Sequence, residues 1–91
     1  MVSAVVLINA ARGKVEVTGE QVAALPGVYE VFSVAGRVDL VALLRVRAND
    51  EIAEIVSGQL AKIEGVVATE TLIAFHVYSR EDLEAGFSLG S

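Results

Sequence analysis

The chain has 91 residues, a formal net charge of −5 at pH 7, and no cysteine. This length corresponds to one domain, the lack of cysteine excludes disulfides and thiolate chemistry, and seven scattered basic residues are too few for a nucleic-acid surface. Hydrophobic residues make up 54% of the chain and are mostly aliphatic, which is more apolar surface than a small monomer can hide and therefore predicts self-association.

The first part of the chain predicts a strand, a helix and a second strand. Residues 2–9, VSAVVLIN, are continuously apolar, which is typical of a strand buried on both faces. This run is too short to span a bilayer, and no basic residue precedes it as in a signal peptide. Residues 14–25 predict a helix, whose start is delayed if Thr18 is its N-cap. The sequence LPG ends this helix, and residues 28–34 predict the second strand.

A hairpin, a second helix and a fourth strand follow. Residues 35–37, AGR, predict a tight turn into an antiparallel third strand at residues 38–47. Residues 66–77 predict the fourth strand. The second helix is predicted over residues 50–63, with Asn49 or Asp50 as N-cap and with one apolar stripe formed by Ile52, Ile55, Val56, Leu60 and Ile63.

The predicted order βαββαβ indicates an α+β ferredoxin-like sandwich, in which both helices cover one face of a four-stranded sheet. We assign residues 1–78 to this domain and the polar residues 79–91 to a C-terminal tail with one helical turn at residues 81–85. The strings AALPGV and AKIEGV place Gly27 and Gly65 at equivalent positions, 38 residues apart. A duplicated βαβ unit is the simplest explanation of this similarity, although short helices that end in glycine also recur by chance.

The sheet face opposite the helices is predicted to be apolar. Alternation on the third strand places Val41 and Leu43 on that face, and we expect Ile73 and Phe75 there from the fourth strand. Burial of each such side chain stabilises by roughly 1.5–3 kcal/mol. We therefore predict an isologous dimer whose sheets stack face to face as an α+β barrel, the alternative being that loops or the tail cover this face.

Three local motifs resemble a known family when taken together and in order. They are LPGVYEVFSVAG from Leu25 to Gly36, the pattern G-x-x-D-L at Gly36, Asp39 and Leu40, and TET at residues 69–71. Over residues 2–78 the chain resembles the ligand-binding domain of the Lrp/AsnC regulators, also called the RAM domain. Full-length members of that family carry a helix-turn-helix domain before it, whereas this sequence begins at the first strand and resembles the stand-alone form, without direct nucleic-acid binding.

The resemblance implies an amino-acid effector sensor. In that family, small amino acids bind where dimers meet in a ring, so the implied assembly is a homodimer that forms an octamer or decamer ring. A full-length Lrp/AsnC regulator is an implied further partner. The implied ligand-binding residues are Gly36, Arg37, Val38, Asp39, Leu40, Thr69 and Thr71.

The chemistry of these residues suits a zwitterion. Asp39 offers an anion for an ammonium group, while a glycine turn and two threonines offer donors for a carboxylate. On the residues alone, an aspartate beside a hairpin turn is more typical of a solvated strand end or of turn stabilisation than of a ligand site. Thr69 and Thr71 fit ordinary strand residues equally well. Val38 departs from the family pattern, since an aromatic residue is common there, and this change implies a pocket that is shallower, tuned to another side chain, or unused.

Two other functions stay open from the residues alone. His76 is the only histidine, and some dimeric α+β barrels are monooxygenases or isomerases, so a small enzyme is the alternative function. No cysteine, second histidine or suitably spaced acid accompanies His76, and we predict no metal, no cofactor and no catalytic residue. A structural oligomer without a ligand is the third function. We expect a cytoplasmic protein without a membrane partner.

Overall fold

The structure is a computed structural model that describes residues 1–80, and it contains the predicted order of elements. Its strands are β1 (Val2–Ala10), β2 (Val28–Ser33), β3 (Leu40–Val46) and β4 (Val66–Ile73). Its helices are α1 (Val15–Ala23) and α2 (Asn49–Ala53), which continues as a π-helix at Glu54–Gln59 and a 3-10 turn at Leu60–Lys62. The helical turn predicted at residues 81–85 lies outside the described residues. Within residues 1–80, no helix is long and apolar enough to cross a membrane.

The four strands form one sheet in the order β2-β3-β1-β4, and every neighbouring pair is antiparallel. This order makes β1 and β3 the central strands and leaves β2 and β4 at the edges. The two βαβ halves interlock in this way in a ferredoxin-like sandwich, so the predicted fold class is confirmed.

Both helices cover the same face of the sheet and enclose the core there. Alternate residues of the two central strands point to this face, because successive side chains of a strand project to opposite sides. The core side chains are at most 7% exposed: Ala4, Val6, Ile8, Val22, Leu40, Ala42, Leu44, Val46, Ile52, Ile55 and Leu60.

The second helical segment is not the single α-helix that was predicted over residues 50–63. After α2 the backbone widens into the π-helix and then tightens into the 3-10 turn, and Ile63 has left the helix with φ −78° and ψ 119°. A π-helical turn accommodates one extra residue, which shifts the apolar stripe relative to a regular 3.6-residue repeat. Ile52, Ile55 and Leu60 stay buried, whereas Val56 is only partly covered.

The start of α2 also differs from the prediction. The N-cap residue is Ala48, not Asn49 or Asp50, and its side chain has no polar atom. Glu51 takes over the capping role, because its Oε2 accepts hydrogen bonds from the N–H groups of Arg47 (2.7 Å) and Ala48 (3.1 Å). A glutamate in the first turn therefore replaces the predicted N-cap side chain.

Two further boundaries correct the prediction. Helix α1 begins at Val15, and Thr18 is completely buried within it, so the delayed start with Thr18 as N-cap is wrong. Strand β4 ends at Ile73, four residues earlier than predicted.

The face of the sheet opposite the helices is apolar at its centre, but its β4 residue is not the predicted one. Val5 opposes Leu43 on one side and Leu72 on the other, which places these three side chains on one face. Ile73 opposes the buried Ala4, so its expected position on this face is wrong, and Phe75 lies beyond β4 and is fully exposed. We call the following set the open face: Val5, Leu7, Phe32, Val41, Leu43 and Leu72.

Two glycines bring each helical segment close to the other half of the chain. A Cβ atom at Gly27, which follows α1, would lie 2.7 Å from Ile55 Cδ1 in the second helical segment. A Cβ atom at Gly65, which follows that segment, would overlap Thr18 Oγ1 in α1. The two contacts are reciprocal between the two halves of the fold.

Candidate ligand-binding site

The connection between β2 and β3, residues 34–39, carries most of the predicted site residues. A hydrogen bond from the Val34 N–H to the Asp39 carbonyl oxygen (3.0 Å) closes it, so it is wider than the predicted three-residue turn. Gly36 has a φ of +153°, and a Cβ atom there would meet nothing within 4 Å. The backbone conformation, not crowding, therefore requires glycine, and the tip formed by Gly36 and Arg37 is exposed.

Asp39 has a backbone partner that lies 29 residues away in the sequence. Its Oδ2 accepts a hydrogen bond of 2.8 Å from the Ala10 N–H at the end of β1, and its own N–H donates to the Ile8 carbonyl oxygen at 3.0 Å. The pairing of β1 with β4 shifts register between Asn9 and Ala10. Within residues 1–80, no donor contacts the second carboxylate oxygen, Oδ1. The carboxylate is thus fixed through one oxygen and has the other available for an ammonium group.

The Asp39–Ala10 hydrogen bond gives a first prediction. We expect Asp39→Ala to lower the free energy of unfolding by about 1–2 kcal/mol, because it leaves a half-buried N–H without its charged acceptor. Asp39→Asn keeps an acceptor oxygen and should lose less. Urea denaturation of both variants and the wild type measures this difference, and an equal loss in the two variants would contradict a structural role for this bond.

Val38 and Leu40 flank Asp39 and differ in accessibility. Leu40 is 2% exposed and packs in the core, where it opposes Ile8 of β1, whereas Val38 is half-buried. A ligand at this loop therefore reaches the backbone of Leu40 and not its side chain.

The two threonines lie on the opposite edge of the sheet from the loop. Thr69 opposes Ile8 and Thr71 opposes Val6, so strand β1 separates both threonines from β3. Two strand spacings put Thr69 about 10 Å from Leu40 across the sheet. By alternation, both threonines are on the helix-covered side of the sheet, where Val6 and Ile8 are buried. One copy of the chain therefore does not bring Asp39 and the threonines into one pocket.

Within residues 1–80, the structure places no cluster of reactive groups around His76, the residue on which the enzyme alternative depends. The His76 ring packs edge-on against Tyr78, with centroids 4.4 Å apart. In the part of the chain that the structure describes, no group of three His, Cys, Asp or Glu side chains could hold a metal ion.

The sequence did not predict the contribution of Ala10 to the site of Asp39. No residue pattern could have signalled it, because the group involved is a backbone N–H.

Comparison with known proteins identifies the family. The model of the Lrp/AsnC ligand binding domain matches residues 3–83. The chain belongs to the Lrp/AsnC ligand-binding domain family.

The relatives include transcriptional regulators and solved structures. An uncharacterized HTH-type transcriptional regulator of Pyrococcus horikoshii, PH1916, is 48% identical over 64 residues, which cover 68% of this chain and 41% of the longer relative. The crystal structure of TTHA0845 from Thermus thermophilus is 45% identical and has a TM-score of 0.83, covering 88% of this chain and all of that one.

A more distant relative was solved together with an amino acid. The transcriptional regulator NMB0573 of Neisseria meningitidis, solved as its complex with L-Met, is 14% identical and has a TM-score of 0.77. The similarity covers 87% of this chain and 53% of that one, and at this identity it shows the shared fold.

Proposed function

We propose that the chain is an amino-acid effector-binding module of a transcriptional regulatory system and that it is not an enzyme. The observation that carries this proposal is Asp39, whose Oδ2 is fixed by Ala10 while Oδ1 is free to accept a hydrogen bond from an ammonium group. The loop tip at Gly36 places exposed backbone beside this carboxylate. Family membership and the L-Met complex of the related NMB0573 support an amino acid as the ligand.

The complete site in this proposal forms between copies of the chain. The loop residues Gly36 to Leu40 of one copy supply the acceptor for the ammonium group, and Thr69 and Thr71 of another copy supply hydroxyl donors for the carboxylate. The separation of these two groups within one copy, on either side of strand β1, supports this arrangement. Val38 lines the site in place of an aromatic side chain and favours a small ligand.

The same proposal includes a homodimer formed through the open face. Four of its side chains are half-buried in one copy, and Phe32 and Leu72 are 45% and 48% exposed. A second copy stacked on this face would remove all six from water. Dimers then assemble into a ring of eight or ten copies, and a full-length Lrp/AsnC regulator in the cytoplasm is the proposed partner.

Titration calorimetry of the purified protein against the twenty amino acids tests the effector role. We expect at least one amino acid to bind, and we expect Asp39→Asn to weaken its binding about 10- to 100-fold, because it removes a charge-assisted hydrogen bond to the ammonium group. Asp50→Asn is the matched control, since Asp50 is an exposed carboxylate at the start of α2. No binding at millimolar concentrations, or equal effects of the two substitutions, would contradict the proposal.

A further inference from the structure

We propose that the groove between α1 and the edge strand β2 binds an extended peptide segment whose basic residues alternate along the strand. The segment would add to β2 as a fifth strand of the sheet. This inference concerns a surface outside the proposed amino-acid site, and it holds whether or not the chain binds an amino acid.

The groove has an apolar floor formed by both layers of the fold. Val15, Gly19 and Ala23 follow one another at four-residue intervals along α1, and Val31 and Leu40 face them from the sheet. Gly19 adds no side chain to the floor, and a Cβ atom there would be in ordinary contact with Leu40 Cδ2, at 3.4 Å. Small residues on the helix therefore leave room for a side chain to lie between α1 and β2.

The wall formed by β2 is an edge of the sheet. Strand β3 pairs with one side of β2, and within residues 1–80 no strand pairs with the other side. Alternate N–H and C=O groups of such a strand point away from the sheet and can hydrogen bond to an added strand. Val31 and Ser33 of β2 line the groove, so an added strand here would direct every second side chain into it.

The rim of the groove is acidic. Glu16 and Glu20 are exposed, lie one turn apart on α1, and form no ion pair within residues 1–80, where the only salt bridge joins Lys14 and Glu64. Among residues 1–80, no lysine or arginine lines the groove. An apolar floor below two unpaired carboxylates matches a lysine or arginine side chain, whose aliphatic stem packs on apolar surface while its charged head stays in water.

The spacing of the two carboxylates sets the pattern of the peptide. Residues four apart on a helix differ by about 6 Å along its axis. Residues two apart on a strand differ by about 6.6–6.8 Å and project to the same side. Basic residues at every second position of the added strand can therefore meet Glu16 and Glu20 in turn, whereas adjacent basic residues cannot.

The test measures fluorescence anisotropy of a labelled heptapeptide with arginine at positions two, four and six and threonine or valine elsewhere. We expect it to bind the wild-type protein, and we expect the double variant Glu16→Lys with Glu20→Lys to weaken binding at least about tenfold. The matched control, Asp50→Lys with Glu54→Lys, makes the same charge change outside the groove and should change the affinity less than twofold.

Two further measurements separate strand addition from a general attraction between opposite charges. A peptide of the same composition with three consecutive arginines should bind at least about fivefold more weakly. Hydrogen exchange of the Val31 and Ser33 amides should slow when the alternating peptide is bound. No binding, equal loss in both double variants, equal affinity of the two peptides, or unchanged exchange because a second copy already pairs with β2 would overturn the proposal.

Discussion

Replacing Leu43 with glutamate is expected to convert the proposed homodimer into a monomer. Leu43 lies on the central strand β3, and on the open face it is opposed by Val5 of β1 and Glu30 of β2. A carboxylate at this position would lose its hydration between the stacked sheets directly opposite Glu30. This cost exceeds its attraction to Arg45, two residues along β3 on the same face. The substitution occurs twice in a two-fold interface. We therefore expect the free energy of dimerisation to weaken by at least about 4 kcal/mol, which is a thousandfold increase in the dimer Kd.

The matched control for this experiment is Val17→Glu. Val17 is 48% exposed on α1, on the helix-covered side of the molecule, so the same type of substitution there should leave the dimer intact. Light scattering across a range of protein concentrations measures the oligomeric state of both variants. A monomeric wild type, or a Leu43→Glu protein that stays dimeric at micromolar concentrations, would contradict the proposed role of the open face.

The sequence predicted the fold well because the two central strands carry an unambiguous pattern. Val6 and Ile8 of β1 and Ala42 and Leu44 of β3 are all apolar and buried, and their strands are bounded by glycine-containing turns. On β4 the sequence does not show which residues face which side of the sheet, because after Thr71 apolar residues occur at consecutive positions. Only the pairing of Leu72 with Val5 across the sheet decides which residue is on the open face, and that pairing is not local.

The site was predictable only where its residues carry a local signal in the sequence. Gly36 and Asp39 stand out locally, since a glycine at a hairpin and an acid in an apolar run are both unusual. The partner of Asp39 was not predictable, because the Ala10 N–H becomes available through an irregularity in the pairing of β1 with β4. The two oxygen atoms of Asp39 therefore have different proposed roles: Oδ2 binds the backbone, and Oδ1 binds the ligand.

A second large effect is expected for Gly65→Ala, which should lower the free energy of unfolding by about 3 kcal/mol. Gly65 is buried where the second helical segment turns into β4, and its carbonyl oxygen accepts a 2.7 Å hydrogen bond from Ala11 N–H. An alanine Cβ would overlap Thr18 Oγ1 and lie 3.1 Å from Thr18 Cβ. Thr18 is completely buried, so α1 must move away from the turn and lose packing with the core.

The loss of stability expected for Gly65→Ala arises from packing and not from backbone conformation, and this cause can be tested. The backbone of Gly65 does not have a positive φ, whereas Gly13 has a φ of +78° and open space around it. Gly13→Ala should therefore cost only about 1 kcal/mol, through its backbone conformation. Thr18→Ala in the Gly65→Ala protein removes the overlapping oxygen, which has no hydrogen-bond partner within residues 1–80, and should restore part of the lost stability. Urea denaturation at one fixed protein concentration measures the wild type and the four variants, including Thr18→Ala alone. Additive losses from Thr18→Ala and Gly65→Ala would show that the two residues do not pack as the structure indicates.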